Sequence, residues 1–275
     1  MKTLYVSDMD GTLLGADSLV SSRTAEIITS LSRRGALITV ATARTAATVV
    51  PLLSDTFTLP PAIVMTGAAT WDRARAAYSD VCYIGEKERC HVASVCHEAG
   101  LHPFVYIMES ESRLAVYHDG DSLSPMEQDF YDARSNLALK HFCLRKRVPQ
   151  DASTILWYAM GDHEPIFAAA AELSRRSDLS LSCYYDIFDR TKAHLEIFAP
   201  GVSKAAAVSR LKNQIGADRV VVFGDNLNDI PMMEVADCAV AVGNAFDEVK
   251  EAADLVIGPN YDDSVARFIL TDFTP

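Results

Sequence analysis

The chain has 275 residues, of which 49% are hydrophobic and 23% charged, and a formal net charge of −12. That mix belongs to a soluble globular protein with room for one large domain or two modest ones. The acidic balance argues against a general nucleic-acid binder, which needs a basic footprint; the one basic cluster, Arg145-Lys146-Arg147, is short.

Taken in chain order, "TLYVSD" (3–8) reads as a buried strand and "SSRTAEIITSLSRRG" (21–35) as a helix, with Ser21 or Ser22 as its cap and Gly35 at its end. "ALITVATA" (36–43) is a second strand, "TAATVVPLL" (45–53) a helix interrupted at Pro51, and "PAIVMTG" (61–67) a third strand. The middle changes texture. A helix at 87–100 precedes "FVYIM" and "RLAVYH", strands meeting at the polar "ESES" turn. "STILWYAM" is a strand, "EPIFAAAAELSRRS" a helix, and "SLSCYYDIF" and "AHLEIFA" are paired strands. The C-terminal part returns to alternation: helix 201–216, strand 219–225, helix 229–237, strand 238–243, helix 245–254 and strand 254–258. Near-continuous apolar strands alternating with helices mean a parallel sheet covered on both faces. The expected fold is α/β: a Rossmann-like parallel-sheet core, residues 1–82 and 192–275, with an inserted α+β cap at 83–191.

No apolar run approaches the roughly 18 residues of a membrane span, and "MKTLYVSDMDG" lacks the apolar core of a signal peptide. The six cysteines form no CxxC pair and no compact framework, which fits reduced thiols and a cytoplasmic location. Cys90-His91 and Cys96-His97 suggest zinc, but a spacing of six does not put like residues on one helix face.

Ligands of open α/β sheets sit outside the carboxyl ends of the strands. Four polar clusters fall there: Asp8 and Asp10, Thr42 and Arg44, Lys204, and "DNLND" at 225–229. Several carboxylates converging on one lysine repel unless a cation neutralises them, and a hard divalent ion such as Mg²⁺ suits oxygen ligands. Such an ion can clamp a phosphate oxygen, lysine and threonine can hold the others, and a carboxylate near phosphorus can attack it. A second carboxylate two residues on can handle the proton.

Asp8-Met9-Asp10-Gly11-Thr12, Thr42 in "VATAR", Lys204 in "GVSKAAAV" and "GDNLND" (224–229) resemble the four ordered motifs of the haloacid dehalogenase-like hydrolases, most closely their Cof-type sugar-phosphate phosphatases. The resemblance spans essentially the whole chain. It implies Asp8 as nucleophile and metal ligand, and Asp10 as general acid/base with its carbonyl on Mg²⁺. It implies Thr42 and Lys204 on the transferring phosphoryl group, Asp225 and Asp229 at the metal, and Asn228 at the phosphoryl group or a metal water. The N–H groups of Met9 and Asp10 would contact phosphate, Arg44 would contact substrate or cap, and the inserted unit would be a mobile cap. Two departures stand out: Ala43 where the family usually has Gly, and Thr66 where it usually has Asn. Asn244 is a candidate supporting hydrogen bonder, whereas His194 and Glu196 read as structural.

The implied activity is Mg²⁺-dependent hydrolysis of small phosphorylated metabolites, sugar phosphates foremost, by a monomer or homodimer without nucleic-acid or membrane partners. A phosphomutase and a non-catalytic phosphosugar-binding regulator are the competing expectations.

Overall fold

The computed structural model describes residues 1–149, 153–176 and 178–274. Strand β1 (Thr3–Ser7) buries Leu4, Tyr5 and Val6 in succession, as a strand covered on both faces must. Helix α1 (Ser22–Arg33) starts at Ser21, whose hydroxyl accepts from Thr24 N at 3.0 Å. Strand β2 (Leu37–Val40) and helix α2 (Ala46–Leu52) follow. Pro51 lies in the last turn of α2, so the expected interruption takes the form of the helix end. Strands β3 (Ala62–Val64) and β4 (Ala69–Asp72) pair antiparallel. The expected third strand thus pairs along its length with β4 and adjoins the end of β2 through the parallel bridge Ala41–Ile63.

The chain forms two compact units, Met1–Ala76 with Ser203–Pro275, and Ala77–Val202. The second unit runs β5 (Ala77–Ser79), α3 (Glu86–Glu98), β6 (Phe104–Ser110), β7 (Arg113–His118), α4 (Pro125–Asp132), β8 (Lys140–Leu144), β9 (Thr154–Asp162), α5 (His163–Arg176), β10 (Ser180–Tyr185) and β11 (Lys192–Phe198). The last residue of the expected helix at 164–177, Ser177, lies outside the described residues. Six strands form one sheet in the order β10-β11-β9-β6-β7-β8, antiparallel except for β7 with β8. The expected boundaries at 82/83 and 191/192 therefore move to 76/77 and 202/203. The larger shift has a simple cause: β11 is paired along both edges, with β10 and β9, and belongs wholly to the inserted sheet.

The chain then returns with α6 (Lys204–Ile215), β12 (Arg219–Gly224), α7 (Ile230–Glu234), β13 (Cys238–Ala241), α8 (Asp247–Ala252), β14 (Leu255–Val256) and α9 (Ser264–Asp272). The core sheet has the order β14-β13-β12-β1-β2, all parallel. Its central pair aligns Thr3 with Arg219 and Ser7 with Phe223, so Asp8 and the 224–225 turn leave the sheet at the same level. Helix α9 is fastened by Asp272, which accepts from Tyr5 Oη at 2.8 Å and Arg219 Nη1 at 2.7 Å. Among the described residues, no helix is long and apolar enough to cross a membrane.

Candidate active site

The site is assembled at the carboxyl ends of β1, β2 and β12 and at the start of α6, as expected for an open parallel sheet. After β1 the chain forms a tight loop over Met9–Leu13, with Asp10 extended and Gly11 at φ +79°. A side chain at Gly11 would collide with the Asp225 carboxylate, so glycine is required by both conformation and space. Met9 itself is buried in the core and its carbonyl closes the loop by accepting from Leu14 N at 2.9 Å.

Lys204 occupies the first position of α6, behind the capping hydroxyl of Ser203. A cation at a helix N-terminus is disfavoured by the helix dipole. Two carboxylates offset this: Lys204 Nζ donates to Asp8 Oδ1 at 2.6 Å and to Asp229 Oδ1 at 2.7 Å, all three groups being buried. Burial works against the lysine charge, but the two aspartates outweigh it and hold the ammonium above its ordinary range. Asp229 is fixed on its other oxygen by the N–H groups of Asp225 and Asn226, at 3.1 and 3.2 Å. Asp225 accepts from Thr12 Oγ1 at 2.7 Å.

Asp8, Asp225 and Asp229 bring carboxylate oxygens within 4.8 Å of one another. Burial pushes the Asp8 carboxyl up to about 7, against the pull of Lys204, and the Asp225 carboxyl up to about 6. Burial is the main cause of both rises, and repulsion from the neighbouring Asp229 carboxylate adds to it. An all-oxygen donor set of this kind fits a hard divalent cation. Among the described residues, Cys90, His91, Cys96 and His97 form no such group.

Asp10 stands apart from this cluster. Its exposed carboxylate is gripped by Arg44, Nε to Oδ2 at 2.7 Å and Nη2 to Oδ1 at 2.6 Å. Arg44, expected to contact substrate or cap, is thus first a partner of the second motif aspartate. Thr42 is buried, its hydroxyl accepting from Arg44 N at 3.2 Å and its carbonyl from Thr66 N at 3.0 Å. Thr66 is held at φ +56°, and its Oγ1 is buried without a hydrogen-bond partner among the described residues. Asn228 is exposed beside the cluster's loop.

Asn244 does the supporting work expected of it: Nδ2 donates to Gly11 O and Oδ1 accepts from Asn260 N, each at 2.8 Å. Asn260 lies outside the sequence motifs, yet its Nδ2 holds Leu14 O at 2.7 Å and so braces the same loop. Nothing in "GPNYDD" marks it locally, because its role depends on a partner 246 positions away. In the inserted unit, His194 bonds Tyr158 Oη at 2.9 Å and Asp186 at 3.1 Å, in keeping with a structural role.

A family profile of haloacid dehalogenase-like hydrolases matches residues 5–269. The chain belongs to the haloacid dehalogenase-like hydrolases. Within this family it is similar to 5-amino-6-(5-phospho-D-ribitylamino)uracil phosphatase YcsE of Bacillus subtilis, with 25% identity over 272 residues, 97% of this chain and 94% of that one. A haloacid dehalogenase-like hydrolase from Bacteroides thetaiotaomicron has the same fold, with a TM-score of 0.79 at 22% identity, covering 99% of this chain and 100% of the other. So does a haloacid dehalogenase subclass IIB sugar phosphatase, with a TM-score of 0.73 at 20% identity over 98% of both chains. This haloacid dehalogenase-like hydrolase is an enzyme of the phosphatase class.

Proposed function

We propose that the chain is a Mg²⁺-dependent phosphomonoesterase that works through an aspartyl-phosphate on Asp8 and acts on small phosphorylated metabolites, sugar or polyol phosphates foremost. The observation that carries this reading is the buried Lys204 bridging Asp8 and Asp229, with Asp225 completing the acidic cluster. Asp8, Asp225 and Asp229, with the Asp10 carbonyl, are the groups that would hold Mg²⁺; bound there, the ion would neutralise the carboxylates and the charge developing on the phosphoryl oxygens.

In the first half-reaction an Asp8 carboxylate oxygen attacks phosphorus. The bond from phosphorus to the ester oxygen breaks, and Asp10 gives its proton to the departing alkoxide. Thr42, Lys204 and the N–H groups of Met9 and Asp10 hold the transferring group, with Asn228 at its edge. In the second half-reaction Asp10 takes a proton from water, whose oxygen attacks phosphorus and breaks its bond to Asp8, releasing inorganic phosphate. Arg44 keeps Asp10 in place between the two steps.

The sugar or polyol preference is supported by the names of two similar proteins, a ribityl-phosphate phosphatase and a sugar phosphatase. The test is phosphate release from a panel of sugar phosphates, nucleotides and pyridoxal phosphate, with Mg²⁺ and with chelator. The expected outcome is release that needs Mg²⁺, disappears in Asp8→Asn, and collapses in Asp10→Ala. In the wild type, rapid acid quench and mass spectrometry are expected to find a phosphoryl adduct on the peptide containing Asp8. Product isomerised rather than hydrolysed would favour a mutase; no turnover of any substrate would favour a binding role.

A further inference from the structure

The inserted unit contains a cavity of its own, about 340 Å³, between α3, the turn into β6 and the segment after β8. That volume lies in the range of small-molecule sites, roughly 300–1,000 Å³. Every residue that lines it belongs to the unit Ala77–Val202, so its chemistry owes nothing to the acidic cluster of the core.

Its lining divides by chemistry. The apolar part is built on Val105 and Trp157, direct neighbours across β6 and β9, with Leu101 beside them. The charged part is cationic in balance. Arg89 is anchored by a hydrogen bond from Nη1 to Ile84 O at 2.9 Å. Arg147 is exposed and has no ion-pair partner among the described residues. The one lining carboxylate, Asp119, lies 3.2 Å from His102 Nδ1.

A cavity with an apolar wall and two guanidinium groups in its lining suits a ligand with a compact ring and an oxyanion.

We propose that this cavity binds a small anionic metabolite, its ring against Val105 and Trp157 and its carboxylate or phosphate on Arg147 and Arg89.

The chain has two tryptophans, so Trp71→Phe leaves Trp157 as the only one to report binding by its emission. Benzoate, phenylphosphonate and inorganic phosphate are titrated in the presence of chelator, and calorimetry on the unsubstituted protein supplies a readout independent of Trp71→Phe. Arg147→Glu reverses charge at an exposed position, and Ala93→Phe, also exposed, blocks the cavity without changing charge. The expected result is saturable binding of at least one aromatic probe, weakened at least about tenfold by each variant, with inorganic phosphate weaker for want of a ring. Which aromatic probe binds tells carboxylate from phosphate. Absence of saturable binding by both aromatic probes, or binding that either variant leaves unchanged, overturns the proposal.

Discussion

Arg44 holds both carboxylate oxygens of Asp10 in a two-pronged ion pair, at 2.6 and 2.7 Å. The second aspartate of the first motif is therefore oriented by the arginine of the second motif rather than by the acidic cluster. A planar guanidinium can make this fork and an ammonium cannot. Arg44→Ala is expected to lower kcat by about 10- to 100-fold with a smaller change in KM, and Arg44→Lys to recover little of the loss. Steady-state kinetics on the best substrate of the panel check this; a rise in KM alone would place Arg44 on the substrate instead.

Lys204 neutralises two buried acids at once. Lys204→Met leaves those carboxylates uncompensated and is expected to destabilise the metal-free protein by about 3–5 kcal/mol, as loss of one partner from a buried ion pair does. Urea unfolding with chelator measures it. Added Mg²⁺ is expected to return part of that stability, because a cation binding only the folded state raises the unfolding free energy.

The elevated carboxyls give a pH dependence of definite sign. In the folded metal-free protein Asp8 binds its proton up to about 7 and Asp225 up to about 6, whereas both lose it near 4 when unfolded. Between those values the folded state carries more protons, so stability falls as pH rises from about 4 to about 7. Chemical denaturation with chelator across that range is expected to show the decline; excess Mg²⁺ is expected to flatten it.

Thr66 is a β-branched residue at φ +56°, in the left-handed region that asparagine tolerates far better. Thr66→Asn is expected to stabilise the core by about 1 kcal/mol by removing that strain. Thermal unfolding checks it, and a lower Tm would mean that the Thr66 methyl group contributes packing that outweighs the backbone cost.

Lys140, buried on β8 with Tyr106 and Phe142 rings at 5.9 and 5.6 Å, has its ammonium pushed down to about 8 by burial. Its folded value lies below its unfolded one, so the unfolded state binds more protons between about 8 and about 10, and stability rises with pH across that window. Lys140→Met is expected to be more stable than the wild type at neutral pH, with the gap closing by about pH 10. Paired denaturation curves at the two pH values decide it.

Much of the candidate site was legible because each of its chemical groups sits in a short motif at a strand end, where local spacing and residue type carry the information. Asp8, Thr42, Lys204, Asp225 and Asp229 needed no knowledge of distant packing to be singled out. The Asp10–Arg44 pair was not legible as a pair, since its members lie 34 positions apart on different loops. In the fold, the core strands are marked by continuous apolar runs, while β4, β5, β8, α4 and α9 carry no comparable signal. "KHFCL" alternates too weakly to stand out, although Ser124 and Glu127 form a capping box that could have marked α4. The boundary near 191 is a separate matter: the expected pairing of "AHLEIFA" with "SLSCYYDIF" is the β10–β11 pair, and a boundary at 191/192 cuts through it.

The pairing of Thr3 with Arg219 also bears on how the chain is made. The first strand leaves the ribosome long before the strand that lies against it in the middle of the core sheet, and the unit Ala77–Val202 is synthesised in between. That unit is one continuous stretch, and the six strands of its main sheet pair among themselves, so that sheet can form while the core still lacks three of its five strands. The acidic cluster closes only when residues 204–229 arrive, which makes the active site a late event in the life of each new molecule and ties it to the slow, long-range step of folding.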